Sequence, residues 1–216
     1  MIKHKKFIFP LLFVTLCLVP LDADDVRDKW HQPDKVMDLV GVRQGMIIGE
    51  VGAGHGYFTF KLSRRVGESG KIYANDISRS SLKYLRDRCQ REGITNIETV
   101  IGEVEDPLLP HDLDMVFIVN AFHDLARPVD LLNNLAVSLK PEAPVVIIDR
   151  DPEKVRYETA HFLSREVVLE KIDQSVFGLV RLETFLPQHN IYIIRLKTKC
   201  GKVLGVVEHM SRELSH

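Results

Sequence analysis

The chain has 216 residues, of which 45% are hydrophobic and 27% are charged, and its formal net charge is −1. This length and composition are typical of one globular domain with a substantial hydrophobic core. Without net positive charge the chain lacks the electrostatic attraction that holds nucleic acid phosphates, so we do not expect a nucleic acid partner. The sequence leaves the oligomeric state open.

The first 24 residues differ in composition from the rest. A positive head over residues 3–6 precedes an uncharged apolar run over residues 7–21. That run, about 15 residues long, is shorter than the roughly 20 residues of a membrane-spanning helix, and the pattern is typical of a signal peptide. We predict that residues 1–24 direct export to the periplasm or out of the cell. The alternatives are an uncleaved tether that associates the protein with a membrane, and a cytoplasmic protein in which the segment is unused.

Outside that segment the cysteines are Cys89 and Cys200. Two distant cysteines make neither a disulfide framework nor a metal cluster. We therefore predict two free thiols, or one disulfide if the protein is exported, and we predict no metal site.

Strand and helix patterns alternate from residue 25 onward. In chain order they predict a helix over 26–39, in which Pro33 either starts the second half or breaks the helix. They then predict a strand over 46–51, a helix over 57–66, a strand over 71–75, a helix over 80–92, strands over 97–101 and 114–119, a helix over 128–139 and a strand over 144–148. Such alternation indicates crossover connections and a parallel sheet with helices on both faces.

The pattern changes after residue 150. Residues 159–175 are predicted to be helical, and residues 177–185 and 191–196 to be two strands with a short polar link. Neighbouring strands with such a link form an antiparallel hairpin. We therefore predict one α/β domain over residues 25–200, with a doubly wound, mostly parallel seven-stranded sheet that ends in this hairpin. Residues 201–216 are predicted to be an extension, either a short extra strand or a loose tail.

The strongest chemical signal is the glycine-rich segment between the first predicted strand and the helix after it. Gly52, Gly54 and Gly56 are spaced as G-x-G-x-G. Glycines there allow tight turns and close approach of a ligand, and doubly wound sheets bind ligands at the carboxyl ends of their strands. Dinucleotide-binding loops are spaced G-x-G-x-x-G, whereas position 57 is a tyrosine here. This spacing disfavours an NAD(P)-dependent oxidoreductase, which remains an alternative.

Polar residues follow the next three strands and suggest a nucleoside ligand. Asp76 ends the second strand, where an acid can accept hydrogen bonds from both ribose hydroxyls. Glu103 follows the third strand and can meet an adenine edge, with Ile77 and Val104 as apolar contacts beside it. Asn120 follows the fourth strand, which places it beside the reacting end of such a ligand and the acceptor.

Taken in order, these motifs resemble the class I S-adenosylmethionine-dependent methyltransferases, especially small bacterial enzymes similar to those of quinone biosynthesis. EVGAGHGYFT resembles the first motif of that family, YANDIS resembles the second, and ETFLPQHNIYIIR resembles its terminal hairpin. The resemblance runs from about residue 30 to residue 196. It implies a Rossmann-like methyltransferase fold, S-adenosyl-L-methionine as cofactor, and in-line methyl transfer to a small-molecule, lipid-like or protein acceptor. The cofactor-binding residues that it implies are Glu50, Gly52, Ala53, Gly54, Gly56, Tyr57, Asp76, Ile77, Glu103, Val104 and Asn120.

His123 is the candidate catalytic residue. It lies just after the fourth strand, and an imidazole titrates near neutrality. A general base is needed only if the acceptor must lose a proton. Asp124 either orients His123 or caps the helix that follows, and Trp30 and His31 either fold over the cofactor or anchor the first helix. The alternative to an enzyme is a non-catalytic protein that binds the cofactor or a metabolite on the same scaffold.

Overall fold

The structure, a computed structural model, describes residues 23–155 and 161–198. The predicted signal peptide or tether, apart from its last two residues, and the predicted extension over 201–216 lie outside the described residues. Cys200 also lies outside them, whereas Cys89 is a buried, free thiol. None of the helices in the described ranges combines the length and apolar character that crossing a bilayer requires.

A single sheet of seven strands organises the described residues. The strands are β1 (Ile47–Val51), β2 (Lys71–Asp76), β3 (Ile97–Ile101), β4 (Met115–Val119), β5 (Val145–Arg150), β6 (Phe177–Glu183) and β7 (His189–Leu196). Their order is β3-β2-β1-β4-β5-β7-β6. Strands β1 to β5 pair in parallel, and β7 is antiparallel to both β5 and β6. The predicted doubly wound sheet with an antiparallel C-terminal hairpin is therefore confirmed.

Helices pack on both faces of this sheet. In the described residues they are α1 (Ala23–His31), α2 (Pro33–Val40), α3 (Tyr57–Val66), α4 (Arg79–Glu92), α5 (Pro128–Leu135) and α6 (Arg165–Gln174). Alternate residues of β5 contribute to opposite faces, as a pleated strand requires. Val146 and Ile148 belong to the core that contains Phe58 of α3, whereas Val145 and Ile147 belong to the core formed with α5 and α6. Burial on both faces explains why the central strands are continuously apolar.

The structure decides one helix prediction and corrects another. The lead-in helix over 26–39 is divided at Pro33, which starts α2, and Gln32 before it adopts a left-handed conformation with φ 42°. The predicted helix over 159–175 begins only at Arg165. Ser164 ends the preceding loop there, and its hydroxyl accepts the Val167 N–H at 3.4 Å as a helix cap.

Several boundaries in the second half also differ from the sequence prediction, among them those of α5, β6 and β7. The α-helix predicted to reach residue 139 ends at Leu135 and continues as a short 3-10 turn, Ala136–Ser138. Strand β6 ends at Glu183 rather than at residue 185, and β7 begins at His189 rather than at residue 191. Longer pairing with β5 accounts for the early start of β7, since His189 pairs with Arg150.

The strand order reverses between β1 and β4, which are neighbours in the sheet although two strands separate them in the chain. The chain crosses over from β1 to β2 on one side of β1, and it later returns to β4 on the other side of β1. The loops after these strands therefore diverge and leave a crevice at the carboxyl edge of the sheet. The predicted site residues follow β1, β2, β3 and β4 and converge on this crevice.

Candidate functional site

The glycine-rich loop after β1 forms one wall of the crevice. Gly52 has φ 73°, and a Cβ added to it would lie 2.5 Å from the Cβ of Ala121, so the loop passes close to the chain after β4. Gly54 has φ 54°, and a Cβ added there would meet nothing within 4 Å. Gly56 caps α3 and faces the interior, where the Phe60 ring lies. The loop is thus closely packed at Gly52 and open at Gly54.

Asp76, at the end of β2, holds this loop in place. One carboxylate oxygen accepts the Gly54 N–H at 2.8 Å, and the other accepts the Ser78 N–H at 2.8 Å. The Ala53 N–H donates to the backbone oxygen of Asn75 at 2.9 Å. The loop and the end of β2 therefore form one hydrogen-bonded unit, with the Asp76 carboxylate at the crevice.

A cavity of about 310 Å³ lies on the β2 and β3 side of the crevice. Its lining combines three carboxylates and two amides with apolar side chains, among them Leu125 and Leu131. The predicted site residues that line it are Gly52, Asp76, Ile77, Glu103, Val104 and Asn120. Ile77 is 61% exposed and Val104 is 47% exposed, so both present apolar surface at the rim.

A second cavity, of about 220 Å³, lies on the other side of the glycine loop. The predicted site residues that line it are Glu50, Gly52, Ala53, Gly54, Tyr57 and Asn120. Arg27 and His31 of α1 complete it. Gly52 and Asn120 line both cavities, so the two spaces adjoin at these residues.

Glu50 is a buried acid in the smaller cavity. It is 2% exposed, and its Oε2 accepts a hydrogen bond from the Thr59 hydroxyl at 2.5 Å. Burial raises the pKa of Glu50 to about 8, the hydrogen bond from Thr59 opposes that rise, and the charge of Asp76 adds to it. Without a cationic partner Glu50 is therefore mostly protonated at neutral pH.

Tyr57 both lines the smaller cavity and fastens α1 over it. Its hydroxyl donates to an Asp28 carboxylate oxygen at 2.8 Å. The Arg27 guanidinium lies 4.6 Å from the centre of its ring, and Lys61 pairs with the other Asp28 oxygen. Burial raises the pKa of Tyr57, and the bond to Asp28 raises it further, so the hydroxyl stays neutral.

Of the two residues that were expected either to fold over the cofactor or to anchor α1, His31 lines the cavity, whereas Trp30 is 37% exposed.

His123 is nearly buried and held by Asp149, which ends the apolar part of β5. Its Nδ1 lies 2.6 Å from Asp149 Oδ1, and its backbone N–H donates to Asp149 Oδ2 at 2.8 Å. Its side chain is 3% exposed. Burial lowers the pKa of His123, but the hydrogen bond and charge of Asp149 outweigh that effect, and the net shift is upward. Sequence reasoning missed Asp149, although its place directly after the apolar run of β5 follows the same rule that identified Asp76.

Asn120 lies where the two cavities adjoin. It adopts a left-handed conformation with φ 50°, which asparagine tolerates better than most residues. Its Oδ1 lies 3.3 Å from Nε2 of His189, whose ring stacks at 4.3 Å on that of His31. Burial, together with the neighbouring His31, lowers the pKa of His189 to about 2. Asn120 therefore contacts the neutral imidazole of His189, which in turn packs against His31.

The fold and the crevice together define a Rossmann-like protein with a glycine loop after β1 and an acid after β2. The methyltransferase domain family matches residues 43–183 of this chain. Because the match covers more than half of the chain, the protein belongs to this methyltransferase family.

Individual relatives agree with the family assignment. The ubiquinone/menaquinone biosynthesis C-methyltransferase UbiE of Azotobacter vinelandii is 31% identical over 115 residues, which cover 52% of this chain and 46% of that protein. The chain thus matches less than half the length of this relative. The structure of a SAM-dependent methyltransferase from Aquifex aeolicus is 27% identical with a TM-score of 0.71, covering 78% of this chain and 92% of that one. The [4+2]-cyclase SpnF has a TM-score of 0.63 at 12% identity, covering 76% of this chain and 81% of that one, a likeness of fold alone.

Proposed function

We propose that this protein transfers a methyl group from S-adenosyl-L-methionine, which binds across the two adjoining cavities. The observation that carries the proposal is their junction at Gly52 and Asn120, with the predicted ribose acid on one side and the buried acid of the first motif on the other. A donor that spans both cavities would have its sulfonium centre at this junction.

The larger cavity suits the adenosine half of the donor. Asp76 offers carboxylate oxygens to the ribose hydroxyls, and Glu103 offers one to the adenine amino group. Ile77 and Val104 present exposed apolar surface that a planar base would cover. A protein recognises an adenosine with polar groups that bond to its hydrogen-bonding edges and with apolar groups that cover the faces of the base.

The smaller cavity suits the amino acid half. A zwitterionic amino acid needs an anionic partner for its ammonium and a cationic or N–H partner for its carboxylate. Glu50 and Arg27 both line this cavity, and they are the groups that we propose for these two roles. The open position at Gly54 leaves room for the ligand beside the loop.

Methyl transfer from a sulfonium needs little covalent help from the protein, because the positive sulfur already activates the methyl group. The acceptor atom attacks the methyl carbon in line, the carbon–sulfur bond breaks, and its electron pair stays on sulfur. The residues at the junction therefore mainly position the two reactants and exclude water. His123 remains the candidate base for an acceptor that must lose a proton, and the acceptor is a small molecule, a lipid-like molecule or a protein side chain.

The proposal is tested by transfer of tritium from methyl-labelled S-adenosyl-L-methionine to an extract of the cells that make the protein. We expect labelled product with the wild-type protein and only background with the same extract and no protein. The alternative is a protein that binds the donor or a metabolite without turnover. Donor binding without transfer to any fraction of the extract would support that alternative. Binding of NAD⁺ instead of the donor would support an oxidoreductase.

We also propose that residues 1–24 direct export or tether the protein to a membrane. Their positive head and short apolar run support this, as described above. Amino-terminal sequencing of the purified natural protein tests the proposal. A start near residue 25 would mean a removed signal peptide, a start at residue 1 in a membrane fraction would mean a tether, and a start at residue 1 in the cytosol would contradict both.

Binding of S-adenosylhomocysteine, the product that keeps the amino acid half, should depend on pH through Glu50. Burial raises the pKa of this carboxyl to about 8, and a ligand ammonium favours its charged form. Binding must therefore expel a proton below pH 8, so affinity rises with pH, by at most about tenfold per unit between pH 6.5 and 8. Arg27, His31 and Tyr57 also face this cavity, so the effect of Glu50 needs a matched variant.

Glu50→Gln is that variant, because glutamine keeps an acceptor for the Thr59 hydroxyl and loses the titration. We expect weaker binding with a flat pH profile in calorimetric titrations. A pH dependence that is the same in Glu50→Gln and wild type would contradict the assignment of this acid to the ligand ammonium.

A further inference from the structure

We propose that His123, Asp124 and His161 form a binding site for one divalent transition-metal ion, with Zn²⁺ as the representative. Each of the three residues offers one ligand atom, and these atoms lie within 4.8 Å of one another. Two imidazoles and one carboxylate are a common ligand set for Zn²⁺ and related ions. The sequence predicts no such site, because 37 residues separate Asp124 from His161.

The distances between the ligand atoms fit a tetrahedral ion. His123 Nε2 lies 3.5 Å from Asp124 Oδ2, and His161 Nε2 lies 3.2 Å from Asp124 Oδ1. In a tetrahedral site with metal–ligand bonds of about 2.0–2.1 Å, neighbouring ligand atoms lie about 3.3 Å apart. These two distances end on different oxygens of Asp124, and the ligand atoms all lie within 4.8 Å of one another. A rotation of the 63% exposed His161 side chain toward His123 would bring them to tetrahedral spacing.

A second observation points to a ligand at the same place. Asp149 accepts from Nδ1 of His123 at 2.6 Å, which fixes the proton on Nδ1 and leaves Nε2 as the atom that faces Asp124. A carboxylate behind the distal nitrogen of a histidine is the usual support for a metal-binding imidazole. His123 is nearly buried, so it has one fixed orientation, whereas Asp124 and His161 are accessible for an ion to enter between them.

The site adjoins the larger cavity and its junction with the smaller one. Asp124 also lines the larger cavity, together with Asn120 at the junction. Three protein ligands leave a fourth tetrahedral position for a water or for an oxygen of an acceptor. An ion bound to Nε2 would exclude His123 from acting as a base, so the two roles are alternatives. Metal binding itself does not depend on the proposed methyl transfer.

The test is calorimetric titration of Zn²⁺ into untagged, chelator-treated full-length protein, together with Co²⁺ titration, since tetrahedral Co²⁺ absorbs visible light. We expect one equivalent to bind to the wild type and tetrahedral Co²⁺ bands to appear. His161→Ala should weaken binding at least tenfold and abolish the bands. Asp149→Asn should weaken binding by roughly 10–100-fold, since it removes the carboxylate behind His123.

His111→Ala is the matched control. His111 is an exposed histidine whose Nδ1 lies 2.8 Å from the backbone oxygen of Val137, so its loss should leave metal binding unchanged. The absence of stoichiometric binding by the wild type would overturn the proposal. A His161→Ala affinity within tenfold of the wild-type value would also overturn it, because Asp124 would then be only an ion-pair partner of two histidines.

Discussion

Gly54→Arg is expected to abolish binding of S-adenosylhomocysteine while the fold is kept. A Cβ at Gly54 points into open space, so the longer side chain would enter the smaller cavity, whose volume is only about 220 Å³. We expect the dissociation constant to rise by roughly 100-fold or more, as in overpacked sites, and methyl transfer to fall to background. Calorimetric titration and the tritium assay measure the two effects.

Gly93→Arg separates this effect from backbone strain. Gly93 ends α4 with φ 66°, and an added Cβ would also meet nothing within 4 Å. A left-handed arginine costs roughly 1–2 kcal/mol at either position, so both variants should melt at similarly lowered temperatures. Only Gly54→Arg should lose the ligand. Equal affinities in the two variants would contradict the placement of the ligand beside the glycine loop.

Asp76→Ala is expected to weaken binding of the same ligand by about 10–100-fold. The substitution removes a charged acceptor, and hydrogen bonds to charged groups are worth about 1.5–3 kcal/mol. Part of the loss would come from the loop, because Asp76 also accepts the Gly54 N–H. The affinity for the intact ligand alone does not separate these two contributions.

A double-mutant cycle with the 2′-deoxy analogue of the ligand separates them. If Asp76 binds the ribose, the analogue should bind the wild type more weakly than the intact ligand does, whereas Asp76→Ala should bind both alike. A purely structural role for Asp76 would weaken both ligands by the same factor in the variant. Asp87→Ala, at an exposed carboxylate on α4 that pairs with Lys83, is the surface control.

In the first half of the chain, the observed elements agree closely with those predicted from the local sequence pattern. The bounds of α3 and β3 agree with the sequence prediction residue for residue, because apolar spacing and flanking glycines agree there. Burial on both faces makes β4 and β5 continuous apolar runs, which sequence reasoning recognises. Asp76, Glu103 and Asn120 could be identified because each lies at or just after the end of a parallel strand. Residues in that position lie at the carboxyl edge of the sheet, which follows from chain order and strand direction alone.

The remaining features depend on contacts between distant residues. Pro33 signals a possible division of the first helix, but the left-handed conformation of Gln32 and the contacts of Tyr57 and Lys61 with Asp28 of α1 have no local signal. The pairing of His123 with Asp149 and the approach of His161 to Asp124 come from the packing of separate loops. The sequence supplies these residue types without indicating which of them meet.

The central claim is that the adjoining cavities hold an adenosyl amino acid. Its most direct test is titration of purified wild-type protein with S-adenosyl-L-methionine, followed by a structure of the complex. The account predicts one equivalent bound, with the ribose at Asp76, the amino acid group beside Glu50 and the sulfur between Gly52 and Asn120. Absence of binding, or a ligand bound elsewhere on the protein, would contradict it.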